Sequence, residues 1–165
     1  MSAAQNTPQT HRRVVSYIDK SREYYAANGY DQPYRWASYD TVPFEPWGDR
    51  DLSQARIGVV TTTYPKGDEF KSKPAYAYAA DPIPESMYTS YLSWDKDATH
   101  TDDVGSFLPL AVLEQLADEG VTGRPSPRFY GAFTAYSQRR TAEDAAEILA
   151  WAREDQVDAM LLVAL

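Results

Sequence analysis

Ser93 to Asp103 reads Ser-Trp-Asp-Lys-Asp-Ala-Thr-His-Thr-Asp-Asp, which sets Asp95, Asp97, Asp102 and Asp103 around His100, one of two histidines in the chain. An imidazole titrates near neutrality, and a neighbouring carboxylate fixes its tautomer and raises its pKa. His100 is therefore the expected proton donor or acceptor, with Asp97 or Asp102 orienting it. Asp95 and Asp103 extend the negative field, which suits an ammonium group on a substrate. Aspartates and a histidine can also hold a hard cation or zinc, but this stretch lacks the spaced ligands and terminal glutamate of a calcium loop. A second polar group is Thr61-Thr62-Thr63-Tyr64-Pro65-Lys66-Gly67-Asp68, with three hydroxyls, a lysine and a turn glycine. Thr61, Thr62 and Thr63 are expected to contact substrate, unless they only finish a strand in which threonine is favoured.

Both groups stand where strands are expected to end. Arg56 to Thr63 is a nearly continuous β-branched run, the pattern of a buried parallel strand, and Tyr88 to Trp94 is a short aromatic and β-branched run. Loops leaving the carboxyl ends of parallel strands diverge and open a crevice in which ligands bind.

The other segments supply the frame. Residues 1–10 form a small, polar tail. Val14, Val15, Ile18 and Tyr25 fall near one helical face, and Asn28-Gly29 stops that helix. From Tyr30 to Asp51, Pro33, Pro43 and Pro46 lie among Tyr34, Trp36, Tyr39, Phe44 and Trp47, an extended arm that lays its rings on this domain's own core or on a neighbouring subunit. Tyr76 and Tyr78 alternate as in a short extended piece. Phe107-Leu108-Pro109 introduces a helix to about Glu119, stopped by Gly120, with Leu113, Leu116 and Ala117 inward. Arg128 to Ala135 is a short strand or extended connection. Thr141 is the expected N-cap of the next helix, Glu143 and Asp144 occupy its first turn, and Ala145, Ile148, Leu149 and Ala152 form its apolar stripe. Asp158 to Leu165 reads as another buried parallel strand.

Alternating strands and helices imply a small three-layer α/β domain with a mainly parallel sheet, a Rossmann or flavodoxin-like half, spanning 53–165. Before it come the helix and the Pro/aromatic-rich arm over 11–52. At 165 residues one domain with a real core is expected. A net charge of -8 repels phosphate backbones and anionic lipid, so nucleic acid and membrane are not expected partners. No apolar run is long enough to span a bilayer, and Met1 to Thr10 has no signal-peptide core, so a cytoplasmic location is expected. The chain has no cysteine, which excludes disulfides, thiolate metal sites and a thiol nucleophile of its own.

The order of these pieces resembles the glycine/sarcosine/betaine/D-proline reductase selenoprotein B family. The resemblance is carried by Arg56 to Thr63, the acidic-histidine loop Asp95 to Asp103, Phe107-Leu108-Pro109-Leu110, and Leu113-Glu114-Gln115-Leu116-Ala117-Asp118-Glu119-Gly120. It continues through Gly123 to Phe133, Thr141 to Ala152 and Val157 to Leu165. What it implies is reductive cleavage of a C–N bond in a small amino acid or amine by a selenocysteine or cysteine. In that family the redox residue follows the strand resembling Asp158 to Leu165, and these residues contain none. The expectation is then a subunit without a cofactor of its own, whose redox thiol or selenol comes from a partner chain.

Two other readings fit the residues. One is a non-redox lyase or hydrolase using His100 and its aspartates, with or without a metal. The other is a non-catalytic structural or assembly subunit in which the acidic loop is a solvated surface.

Overall fold

The computed structural model describes residues 16–29, 38, 40–41, 46–66, 75–89, 98, 100–132 and 137–165. The chain divides into two compact units, Met1–Glu45 and Pro46–Leu165. In the first, helix α1 (Tyr17–Ala27) begins where the Ser16 hydroxyl accepts the Asp19 amide at 3.2 Å, and it closes on Asn28, whose side-chain amide donates to the Tyr24 carbonyl at 2.8 Å. None of its residues is buried, and Ile18 and Tyr25 of the expected apolar face are exposed. Val14 and Val15 lie outside the described residues.

The second unit contains β1 (Ile57–Thr61), β2 (Tyr64–Pro65), β3 (Tyr76–Ala79), β4 (Met87–Tyr88), α2 (Leu110–Asp118), β5 (Arg128–Gly131), α3 (Gln138–Glu154) and β6 (Ala159–Val163). Short 3-10 turns occupy Leu52–Gln54 and Val104–Ser106. The main sheet runs in the order β3-β5-β1-β6, with β5, β1 and β6 parallel and β3 antiparallel on the outside. Opposite β1 lies β6 in the register Ile57↔Ala159 to Thr61↔Val163.

Side chains alternate across β1 as a strand requires. Ile57 and Val59 enter a cluster with Phe107, Leu108, Leu110 and Leu113 of the α2 region, while Val60 packs with Ile148 and Ala152 of α3. Helices therefore cover both faces, and the three-layer α/β architecture read from the sequence is present. Leu110 and Leu113 are the buried face of α2, and Gly120 at φ +74° ends that helix in a conformation other residues resist.

Three local expectations are corrected. The N-cap of α3 is Ser137, whose hydroxyl accepts the Arg140 amide at 3.3 Å; Thr141 lies inside the helix and donates back to the Ser137 carbonyl at 3.1 Å. Two hydroxyls four residues apart offer the same cap, and the earlier one wins because it gains another turn of helix. Glu143 and Asp144 thus fall beyond the first turn. The apolar strand β6 is parallel as expected but is not buried: among the described residues it pairs on one side only, and Leu161 and Leu162 are 41% and 78% exposed. Tyr88 belongs to a two-residue ribbon in which β4 pairs antiparallel with β2, outside the main sheet. The rest of the expected Tyr88 to Trp94 strand, from residue 90 onward, lies outside the described residues.

Candidate functional site

From β1 the chain goes to β5 on one side, then crosses over β1 to β6 on the other, and α2 and α3 lie on opposite faces. The connections therefore part at the β1/β6 pair, a topological switch point, and a crevice opens at the carboxyl ends of such strands. Thr61-Thr62-Thr63 stands at that point. Thr61 and Thr63 are fully buried with their hydroxyls 3.2 Å apart. Thr62 faces the neighbouring strand end, where its hydroxyl accepts the Leu165 amide at 3.0 Å and donates to the Leu165 carbonyl at 3.4 Å. Of the three, Thr62 is the one that a small molecule at the crevice would meet.

A layer of rings supports this turn. The phenol of Tyr76, on β3, donates to the Thr63 carbonyl. To do so it crosses β5 at its register partner Gly131, where a Cβ would stand 2.0 Å from Tyr76 Cζ. Only glycine leaves that path open. The Tyr64 ring packs 5.2 Å from the Tyr76 ring, and burial pushes its phenol up to about 12, with Arg140 pulling the other way and Asp144 adding to the rise. Asp144 is buried on α3, accepts the Ala75 amide at 3.3 Å and lies 3.8 Å from Arg140 Nε. Tyr64, Tyr76, Arg140 and Asp144 are the members of this edge that sequence reasoning missed. The i,i+4 spacing of Arg140 and Asp144 and the alternation of Tyr76 and Tyr78 were the available signals.

The acidic-histidine loop is a different environment. His100 Nδ1 lies 3.7 Å from Asp102 Oδ2, with the two side chains 76% and 92% exposed. Asp103 caps the Val104–Ser106 turn by accepting the Gly105 amide at 3.0 Å, a local structural task. Asp95 and Asp97 lie outside the described residues. Thr101 and Thr89 share a hydrogen bond of 2.8 Å, so this loop is tied through Thr89 and the β4–β2 ribbon to the residue that follows Thr63. Among the described residues, no three His, Asp or Glu side chains are grouped to hold a metal ion. Nor is any helix among them long and apolar enough to cross a membrane.

A second polar centre sits at the opposite, amino edge of the sheet. Arg128 Nε donates to Asp155 Oδ2 at 2.7 Å, and its Nη2 donates to Glu154 Oε2 at 2.9 Å. Tyr130, fully buried, donates to Asp155 Oδ2 at 2.5 Å and lies 3.0 Å from Ser126 Oγ. Burial alone would raise the Asp155 carboxyl, but the bonds from Arg128 and Tyr130 outweigh it and hold it below its ordinary value. Burial, and then the bond to Asp155, push the Tyr130 phenol up to about 12. Arg56 adds a bond from Nη1 to the Asp155 carbonyl at 2.6 Å, and its amide donates to Asp158 Oδ2 at 2.9 Å. The centre ties the starts of β1, β5 and β6 to the end of α3. Nothing in residue type or spacing pointed to it, because its members are scattered from residue 56 to residue 158.

No family model, curated protein or solved structure matches this chain.

Proposed function

We propose that these residues form one subunit-sized domain of a cytoplasmic, reductase-like complex that cleaves a C–N bond in a small amino acid or amine, the thiol or selenol coming from outside them. The observation that carries this reading is the placement of Thr62 at the β1/β6 switch point, supported by the resemblance of the chain's ordered segments to the selenoprotein B family. The reacting thiolate or selenolate bonds to carbon, and the amine leaves with the C–N electron pair and takes up a proton. His100, oriented by Asp102 and Asp97, is the donor of that proton in this reading, and Asp95, Asp103 and Thr62 bind the substrate. His100 is solvated in the chain by itself, so the remainder of the complex must cover it before it serves a water-excluded reaction.

The test is purification from the source under gentle reducing conditions, with native mass spectrometry and an amine-release assay driven by a dithiol. A co-purifying selenocysteine- or cysteine-bearing component is expected, with amine release that falls about 100-fold or more in His100→Ala. A homo-oligomer with no such component and no amine release refutes the reading.

One observation favours a second reading, an assembly subunit without catalysis. The open edge of β6 exposes leucines on both faces of the strand, as in a sheet that continues into further structure.

A further inference from the structure

Asn28, at the C-terminal end of α1, is one of two asparagines in the chain, and glycine follows it; the other is Asn6, followed by threonine. A backbone nitrogen that follows asparagine can attack the side-chain carbonyl carbon, and glycine, having no Cβ, hinders that approach least. In the closed helix end both reactants are engaged elsewhere. The Asn28 side-chain amide donates to the Tyr24 carbonyl at 2.8 Å, and the Gly29 amide donates to the Ala26 carbonyl at 3.1 Å.

Little keeps this end closed. No residue of α1 is buried, so loss of core packing does not oppose its opening. Its 11 residues fall short of the roughly 12–15 at which an isolated helix becomes even marginally stable in water. Helix ends of this kind open at close to zero free-energy cost.

We infer that Asn28-Gly29 is a self-modification site, at which deamidation removes the C-terminal cap of α1 irreversibly. When the turn opens, the Gly29 nitrogen gives up its proton to hydroxide and attacks Asn28 Cγ; the new C–N bond closes a succinimide ring, and the side-chain nitrogen takes a proton from water and leaves as ammonia. Water then adds to either ring carbonyl and the C–N bond to that carbon breaks. Opening at Cγ leaves aspartate, and opening at the main-chain carbonyl leaves isoaspartate.

Neither product restores the cap. A carboxylate only accepts, so it has no proton for the Tyr24 carbonyl, and it sets a negative charge at the negative end of the helix dipole. Isoaspartate also lengthens the main chain by one carbon, which takes the Gly29 amide out of register with Ala26. The last turn, which bears Tyr24 and Tyr25, then stays open. This site is independent of the function proposed for the sheet.

The experiment incubates the full chain at physiological temperature, from neutral to mildly alkaline pH, beside a peptide of residues 24–32. Peptide mapping that separates asparagine, aspartate and isoaspartate follows Asn28 and Asn6. Asn28 is expected to react within about tenfold of the peptide's rate, as an end that opens at little cost requires, faster than Asn6 and faster as pH rises. Among the described residues nothing stands within 4 Å of the Cβ position at Gly29, so Gly29→Ala meets no clash, and at φ +79° it weakens the cap. It should nevertheless slow the reaction at least about tenfold, because the methyl blocks the nitrogen. In the deamidated fraction the NMR carbon shifts of residues 24–27 should move from helical to coil values. The inference is overturned if Asn28 reacts more than about tenfold slower than the peptide or no faster than Asn6, if Gly29→Ala reacts as fast as the parent, or if the deamidated chain keeps helical shifts over residues 24–27.

Discussion

Replacing Gly131 by alanine tests the ring layer under the threonine turn. In an ordinary strand this change is stabilising by roughly 0.5–1 kcal/mol, because glycine loses more chain entropy on folding. At position 131 the new methyl would stand 2.0 Å from Tyr76 Cζ and 2.2 Å from its hydroxyl oxygen, so the ring must leave its path across β5. Overpacking of that kind costs about 1–3 kcal/mol. Displacing the ring also strips the Thr63 carbonyl of its phenol donor inside a buried turn, about 1–3 kcal/mol more. Less the generic gain, the expected net loss is about 1–5 kcal/mol, opposite in sign to the generic effect. Urea unfolding followed by tryptophan fluorescence and circular dichroism reads it as a lower midpoint at unchanged slope. In a Tyr76→Leu background, which removes the ring, the same glycine change should be neutral or mildly stabilising, and the difference is the coupling between the two sites. A Gly131→Ala protein as stable as the parent, or an equal loss in both backgrounds, refutes the argument that glycine is there for the tyrosine.

Two further outcomes concern the polar centres and α3. The lowered pKa of Asp155 contributes stability above the unfolded carboxyl value and is lost as pH falls through the folded one; the raised pKa of Tyr64 and Tyr130 contributes below the ordinary tyrosine value of 10.0 and is lost as pH climbs to about 12. Unfolding curves against pH should show both limbs, with Asp155→Asn flattening the acid one and Tyr130→Phe reducing the alkaline one. Ser137→Ala should cost about 1 kcal/mol by removing the N-cap of α3, whereas Thr141→Ala should change stability by less than half of that; chemical denaturation of the two variants checks it.

The layer structure was legible in the sequence because it follows from periodicity. Arg56 to Thr63 reads as a strand buried on both faces, and Leu113 as an inner residue of a helix; Leu116 and Ala117, expected beside it, are only half-buried, and the place of the second inner residue is taken by Leu110. The neighbours of a strand are another matter. The run from Ala159 to Val163 is as apolar as β1, yet among the described residues one edge of it has no pairing strand, since side-chain pattern reports what covers the faces and is silent on the hydrogen-bonding edges. The threonine turn was placed correctly for the same reason as β1. Its supporting cast was not, because Tyr76, Gly131 and Asp144 meet through contacts 13 to 69 residues apart in the chain that no local spacing encodes. Dense charge drew attention to His100, and charge density is equally the mark of a solvated loop; in the chain by itself His100 and Asp102 are both exposed.

The central strand of the sheet is completed by residues made long after it. The Arg56 amide bonds the Asp158 carboxylate across a separation of 102 residues, and β6 flanks β1 throughout its length. At ordinary rates of synthesis that separation is roughly 5–20 s of translation. For that interval the strand bearing Ile57 and Val59 has left the ribosome with one edge unpaired, and β5, which closes the other, itself lies some 70 residues downstream. Production of this fold therefore depends on keeping a nascent β-branched segment from pairing with the wrong partner. Slower elongation or crowding by other nascent chains should lower its yield before either touches the stability of the finished molecule.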